Sequence, residues 1–300
     1  MERDSFLYKM RRKLQVAAHM VLSDKFLSKV YFRIVMKKNL NIDNPKTFNE
    51  KLQWLKLYYM SNNPLVIQCA DKYLVRKYIE NKGYSKKLVP LLGVWEEANQ
   101  IVWNSLPEKF VLKCNHGCAY NIIVSNKNEI KKSEIIEQLN NWLKEDFGAF
   151  NIEPHYSGIK KHLITCEKFL GDCITDYKFF CFNGEPKYIY VSNDLIHDRQ
   201  AQIGFFYLDG TKMPLRRDDY TDIDNITLPS FFDEMKEMAK VLAKDFPFVR
   251  VDFFIADGTF YFAELTFTPS ACMMPFNPEK YDLEWGKLLE LPKIGEKNVL

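Results

Sequence analysis

The pattern of apolar and polar positions divides the chain into a helical first third and a strand-rich remainder. Leu7, Met10, Leu14, Ala17, Ala18 and Val21 recur at helical spacing and predict an amphipathic helix that docks through this stripe. "NPKTFNEKLQWLKLYY" offers Thr47 and Glu50 as a capping box opening the next helix. "NPLVIQCADKYLVRKYIENKG" reads as a helix started by Pro64 and stopped by Gly83. "KLVPLLGVW" follows as a short buried strand. Residues 110–124, "FVLKCNHGCAYNIIV", read as strand, glycine-containing loop, strand. "KKSEIIEQLNNWLKEDFG" is a helix with Ser133 as its cap and Gly148 near its end, and "HLITCEKFLGD" is a strand with an abrupt stop. Beyond it, "DYKFFCFNGEPKYIYVSND" places Asn183-Gly184 between two strands, the strongest short hairpin signal. "IGFFYLDGTKMPL" adds a strand and turn. Residues 230–246 form a helix with Phe232, Met235, Ala239, Leu242 and Phe246 on one stripe, and "VRVDFFIADGTFYFAELTF" is a last hairpin before a Pro-rich tail. The predicted class is α+β with mostly antiparallel sheet. No G-x-G-x-x-G and no βαβ unit occurs, which argues against a Rossmann domain.

Composition changes this picture in two places. The chain has 300 residues, 47% of them hydrophobic, enough for a sizeable core. No run of about eighteen apolar residues predicts a membrane span, and the first residues lack the apolar region of a signal peptide. Seven cysteines, an odd number without a regular framework, suit free thiols in a reducing cytoplasm. Net charge is +3, yet residues 1–40 carry ten Lys/Arg against three Asp/Glu, which leaves −4 on the rest. The basic segment is read first as a docking helix with a solvated face. The sharper reading is contact with a membrane surface or an anionic polymer, at the inner face of the membrane, with no nucleic-acid partner expected.

The last hairpin carries the candidate chemistry. Arg250, Asp252 and Glu264 stand among Val251, Phe253, Phe262 and Leu265, where ionised carboxylates are costly unless paired or metal-bound. Side chains alternate faces along a strand, so the turn decides whether the acids meet. A two-residue Asp257-Gly258 turn would set Asp252 and Glu264 on opposite faces. A three-residue Ala256-Asp257-Gly258 loop with a bulge would bring Arg250, Asp252, Glu264 and Thr266 to one face, and it is chosen because it separates polar from apolar on both strands. Two such acids repel unless a cation lies between them, so neutralising either should leave the fold intact or firmer. Oxygen-only ligation points to Mg²⁺. A purely structural Arg–Asp–Glu cluster is the alternative.

Arg-x-Asp, a hairpin turn and Glu-x-Thr resemble the metal-binding end of the ATP-grasp superfamily. Within it, "NPKTFNEKLQWLK", "DYKFFCFNGEPKYI" and "FAELTFTPSACM" are similar to the TupA-like branch named for teichuronopeptide biosynthesis. The resemblance implies an ATP-grasp fold of two α+β subdomains clasping ATP, over residues 66–170 and 171–300, after a helical basic segment over 1–65. It implies phosphate contacts by Lys72 and Lys113, backbone cover from the loop around His116 and Gly117, and a hinge of Glu167, Phe169 and Leu170 that holds adenine. It also implies metal ligation by Asp252, Glu264 and Thr266. Thr266 replaces the usual asparagine, and the loop after Lys113 has one glycine where many relatives have several.

The implied reaction is ATP-dependent carboxylate–amine ligation through an acyl phosphate. The TupA-like resemblance implies substrates in cell-surface polysaccharide assembly, and the expected reaction joins a uronic-acid carboxylate acceptor to an amine as an amide. Arg250, with its planar fork, suits the acyl phosphate or the tetrahedral oxyanion. Arg199, in His197-Asp198-Arg199, is read either as an acidic-substrate contact or as part of a solvated loop. Lys178 either lines the nucleotide cleft or only pairs with an acid. A glycosyltransferase of the same assembly, or a non-catalytic nucleotide-binding protein, are the competing functions.

Overall fold

A computed structural model of the chain describes residues 6–172, 174–193 and 201–293. Arg199 and its neighbours His197 and Asp198 lie outside the described residues. Ten α-helices and ten strands are described. The helices are α1 (Phe6–Val21), α2 (Asp24–Met36), α3 (Phe48–Leu55), α4 (Pro64–Ala70), α5 (Val75–Asn81), α6 (Lys132–Leu143), α7 (Phe147–Asn151), α8 (Pro154–Ser157), α9 (Phe232–Ala243) and α10 (Lys280–Leu288). The strands are β1 (Leu91–Trp95), β2 (Phe110–Cys114), β3 (Asn121–Val124), β4 (Ile164–Lys168), β5 (Thr175–Phe182), β6 (Glu185–Asn193), β7 (Gln202–Tyr207), β8 (Thr221–Asp222), β9 (Phe248–Ala256) and β10 (Thr259–Thr266).

The strands form two sheets. One has four strands in the order β1-β4-β2-β3, the other six in the order β10-β9-β5-β6-β7-β8. Every pairing is antiparallel except the short parallel contact of β7 with β8. The predicted α+β class with mostly antiparallel sheet is therefore what the chain adopts.

Alternation along β5 shows how the six-stranded sheet is used. Phe179 points to α9, where it meets Phe232 at 5.5 Å. Phe180 points to the other face, under Trp285 of α10 at 4.8 Å. Phe48 of α3 closes the same cluster against Phe248 at 5.1 Å. These edge and tilted contacts add to the burial of large apolar surface. Lys178 is two residues before Phe180 and shares its face, where it is buried opposite Tyr190 of β6.

Local signals explain several boundaries. Thr47 and Glu50 make the capping box at α3, with both arms formed. Asn183 (φ 50°) and Gly184 (φ 82°) make the tight turn between β5 and β6. Four expectations fail for identifiable reasons. The helix expected from Pro64 to Gly83 breaks at Asp71, whose Oδ1 accepts from the amides of Tyr73 and Leu74 at 2.7 and 3.0 Å and caps the next turn. β1 lies at a sheet edge and is only half-buried. α6 starts at Lys132 without a side-chain cap from Ser133, and Gly148 falls inside α7. The apolar stripe of α1 is not docked: Met10, Leu14 and Val21 are 44, 64 and 84% exposed.

Candidate active site

Between the two sheets runs a cleft of about 380 Å³. Lys72, Arg76, Lys113 and Glu167 line it from the four-stranded side, and Asp176, Lys178, Asp252 and Glu264 from the six-stranded side. Val89, Ile123, Phe169, Leu170 and Phe254 supply apolar wall.

Asp252 and Glu264 do meet, by a device other than the expected loop. The turn is the two-residue Asp257-Gly258, with φ of 53° and 72° and Ala256 opposite Thr259. A β-bulge then falls between Phe262 and Glu264, so that Ala263 is the extra residue. Past it Glu264 stands opposite Asp252 and Thr266 opposite Arg250. One rung of the sheet therefore carries Glu264, Asp252 and Lys178 across three strands.

The cation between the acids is protein. The Arg250 guanidinium grips Asp252 with Nε to Oδ1 at 2.7 Å and an Nη2 donor to Oδ2 at 2.6 Å. The same Nη2 lies 3.6 Å from Glu264 and donates to Thr266 Oγ1 at 3.0 Å, while Thr266 donates to Glu264 at 2.8 Å. Lys178 Nζ adds a second cation to Asp252, at 3.2 Å, and stands 3.4 Å from Asp176. Lys178 thus both lines the cleft and pairs with acids. Burial would push the Glu264 carboxyl up, but Lys72, Arg250 and Lys178 outweigh it and hold its pKa at about 2. Asp252 is fully buried between two cations, so the expectation that its removal relieves repulsion is reversed. Arg250 and Thr266 sit behind the acids and are not among the cleft-lining residues.

At the opposite wall, Lys113 of β2 reaches Glu167 Oε2 of β4 at 2.5 Å. Arg76 of α5 approaches the other Glu167 oxygen at 3.6 Å and donates to the Val89 carbonyl at 3.0 Å. Lys72 occupies the break between α4 and α5. Its amide donates to the Asn115 carbonyl at 3.1 Å and its Nζ to the carbonyl of Gly117. Asn115, fully buried, donates to Asp71 at 2.7 Å and so ties the helix break to the loop after β2. Sequence reasoning missed Asp71, Arg76, Asn115 and Asp176. Arg76 alone left a trace, because a helical residue four after Lys72 can share its side.

The His116 side chain takes no part in the cleft, which leaves the expected backbone cover by this loop as it was. Its ring faces the core, with Nε2 3.0 Å from the Trp142 carbonyl and its plane stacked on His162 at 3.6 Å. Burial, then His162, draws its pKa down to about 4, so it is a neutral packing residue. Gly117 is buried too, and a Cβ there would meet the rings of Tyr120 and Phe147 at 2.7 and 2.8 Å. The residues of this loop that line the cleft are Ala119, at φ 57°, and Tyr120.

For a metal, the donor set on the rung is all oxygen, in two carboxylates, which fits a hard divalent cation in kind. Glu264 has one oxygen engaged by Thr266, and Asp252 would share its oxygens with Arg250 and Lys178. Among the described residues no cluster of three or more His, Cys, Asp or Glu could hold a metal by itself.

Past Glu264 the chain turns through Ser270, Ala271 and Cys272, all at positive φ of 50–60°, beside a buried polar group of Lys56, Glu153, His155 and Thr268. Burial raises Glu153 to about 7, against the opposing pull of its Thr268 hydrogen bond and Lys56. The unfolded carboxyl loses its proton near 4.5, so this group's contribution to stability is present below that pH and lost as pH rises to about 7. His155, drawn by burial to about 3, works in the other sense, losing its contribution as pH falls from 6.5 toward 3. Glu153→Gln should therefore flatten stability between pH 4.5 and 7 and leave the variant firmer by up to about 3 kcal/mol at pH 8. Urea midpoints at pH 4.5, 6 and 8 check this. An unaltered pH profile would mean that Glu153 is ionised at neutral pH.

Two sheets facing across a cleft, with Lys72 and Lys113 at one wall and Asp252 and Glu264 at the other, fit an ATP-grasp fold. The chain belongs to the TupA-like ATP-grasp family, whose model matches residues 50–290. No curated protein matches it. Among solved structures it is similar to D-alanine–D-alanine ligase from Helicobacter pylori, at 17% identity and a TM-score of 0.45 over 75% of this chain and 62% of that one. The same enzyme from Bacillus anthracis gives 16% identity and a TM-score of 0.41, over 67% and 58%. L-amino acid ligase from Bacillus licheniformis gives 14% and 0.41, over 68% and 44%. The chain thus spans less than two thirds of the length of each of these enzymes.

Proposed function

We propose that the chain is an ATP-dependent carboxylate–amine ligase. The observation that carries this reading is the single cleft with phosphate-suited cations at one wall and two facing carboxylates at the other. In this reading Leu170, Phe169 and Val89 form the adenine wall, with Glu167 beside it. Lys113 and Lys72 hold phosphate oxygens as point charges. Asp252 and Glu264 would hold Mg²⁺, which supplies neutralisation of phosphate charge during transfer. The acceptor carboxylate attacks the γ-phosphorus and the bond to ADP breaks, giving an acyl phosphate. The amine then attacks the acyl carbon, phosphate leaves with its bonding pair, and the amine proton passes to solvent. Lys178 offsets part of the carboxylate charge of the rung while further negative charge gathers beside it.

Family membership supports a substrate in cell-surface polysaccharide assembly, with a uronic-acid carboxylate and an amino acid or other amine as the pair. A panel of uronic acids crossed with amino acids, read as ADP and phosphate release, tests both levels. Release only when acid and amine are both present is expected. Release of a nucleoside diphosphate from a nucleotide sugar would favour glycosyl transfer, and nucleotide binding without turnover for any pair would favour a non-catalytic role.

A further inference from the structure

The first two described helices expose apolar residues, among them part of the stripe that the sequence predicts for docking on α1. On α1, Met10, Leu14 and Val21 fall within about 40° of one another around the axis, and they are 44, 64 and 84% exposed. α1 meets the body at α7 through other positions, with the Arg12 guanidinium 4.2 Å above the Phe150 ring. α2 repeats the arrangement. Phe26, Val30 and Ile34, spaced at i, i+4 and i+8, are 51, 37 and 58% exposed, while Leu27, Ser28 and Phe32 take the buried side. Exposed lysines and arginines run beside the stripes: Lys13 on α1, and Lys29 and Arg33 on α2, with Lys37 at its C-cap. Both helices thus dock through one side and leave an apolar stripe with basic flanks facing solvent.

We propose that α1 and α2 form a peripheral docking surface for an anionic lipid bilayer. Charge complementarity chooses the occupant. Residues 1–40 carry +7 while the remainder of the chain carries −4, so positive charge is concentrated in the segment that holds these two helices and favours an anionic layer there. Lipid also answers the apolar stripes: Leu14, Phe26 and Ile34 enter the headgroup–acyl boundary while lysines stay among the phosphates. No described helix is long and apolar enough to cross a membrane, so the contact is interfacial. A second copy of this chain would bring +7 against +7. The inference is independent of the reaction proposed above, because no residue of the cleft takes part.

The test is flotation of the purified full chain with vesicles of phosphatidylcholine alone and with about a third phosphatidylglycerol. Binding to the anionic vesicles is expected to exceed binding to the neutral ones by about tenfold or more and to weaken with salt, since exposed charges are screened within about 8 Å at physiological ionic strength. Salt should not abolish it, because the apolar share persists. Leu14→Glu/Ile34→Glu should lower binding about tenfold at every salt concentration. Lys29→Gln/Arg33→Gln/Lys37→Gln should lower it chiefly at low salt and reduce the salt slope. All these positions are exposed, and unchanged thermal unfolding confirms that each variant is folded. Equal recovery with neutral and anionic vesicles, or variants that float like the parent, would overturn the proposal. So would a dimer in sedimentation equilibrium that Leu14→Glu/Ile34→Glu converts to monomer, which would assign the surface to a second copy.

Discussion

Glu264→Gln should lower turnover by about a thousandfold or more while leaving the protein about as stable as before. Asp252→Asn should lose turnover to a similar degree and also destabilise the fold by about 3–5 kcal/mol. The two acids stand opposite each other on one rung but have different surroundings. Glu264 is partly exposed on the cleft, and its amide analogue keeps the oxygen that accepts from Thr266. Its charge, held down to a pKa of about 2 by Lys72, Arg250 and Lys178, is directed at the cleft. Asp252 is fully buried and neutralises Arg250 and Lys178 together. Removing its charge leaves two buried cations with one carboxylate fewer, and breaking a buried pair from one side costs the full desolvation of the partner left behind. Turnover by ADP release and stability by urea unfolding, measured on the same preparations, separate the two effects. Near-normal turnover in Glu264→Gln would take that carboxylate out of the chemistry. An Asp252→Asn variant as stable as the parent would show that the cluster gains nothing from its central acid.

How much of this was legible in the sequence depends on whether the signal is local. The Thr47/Glu50 capping box, the Asn183-Gly184 turn and the apolar stripe of α9 are fixed by neighbours a few residues away, and each is where the sequence puts it. The meeting of Asp252 and Glu264 was legible as a requirement, since two stranded acids need a common cation, but its means was not. An Asp-Gly turn and a bulge at Ala263 give the same facing as a three-residue loop, and alanine carries no mark of a bulge. The inward turn of His116 was not legible at all. A loop has no periodicity, and the ring is placed by His162 and Trp142, which are far along the chain. The α1 stripe shows the complementary limit: spacing tells which residues share a face, and only the fold tells whether anything covers it.

Lys113→Ala should weaken ATP and ADP binding by about tenfold to a hundredfold, the worth of a charge-assisted contact of about 1.5–3 kcal/mol. Lys113 stands near the end of β2, next to the edge strand β3, and its stem crosses to β4. In the described state its ammonium is satisfied by Glu167, so the fold supplies it with a partner whether or not phosphate is present. Glu167 does not depend on Lys113 alone, because Arg76 faces its other oxygen. Truncation therefore leaves a paired acid behind, and the stability cost should stay small. An ammonium on a four-carbon stem can turn from Glu167 toward a phosphate with little loss of rotamer freedom that was not already spent. The probe that separates the two roles is adenosine, which offers the cleft a base and no phosphate. Titrations with ATP, ADP and adenosine should show the loss for the first two only. Equal weakening of all three would mean that Lys113 acts through Glu167 on the adenine wall, and unchanged affinity for ATP would leave it as a counter-ion of Glu167 and nothing more.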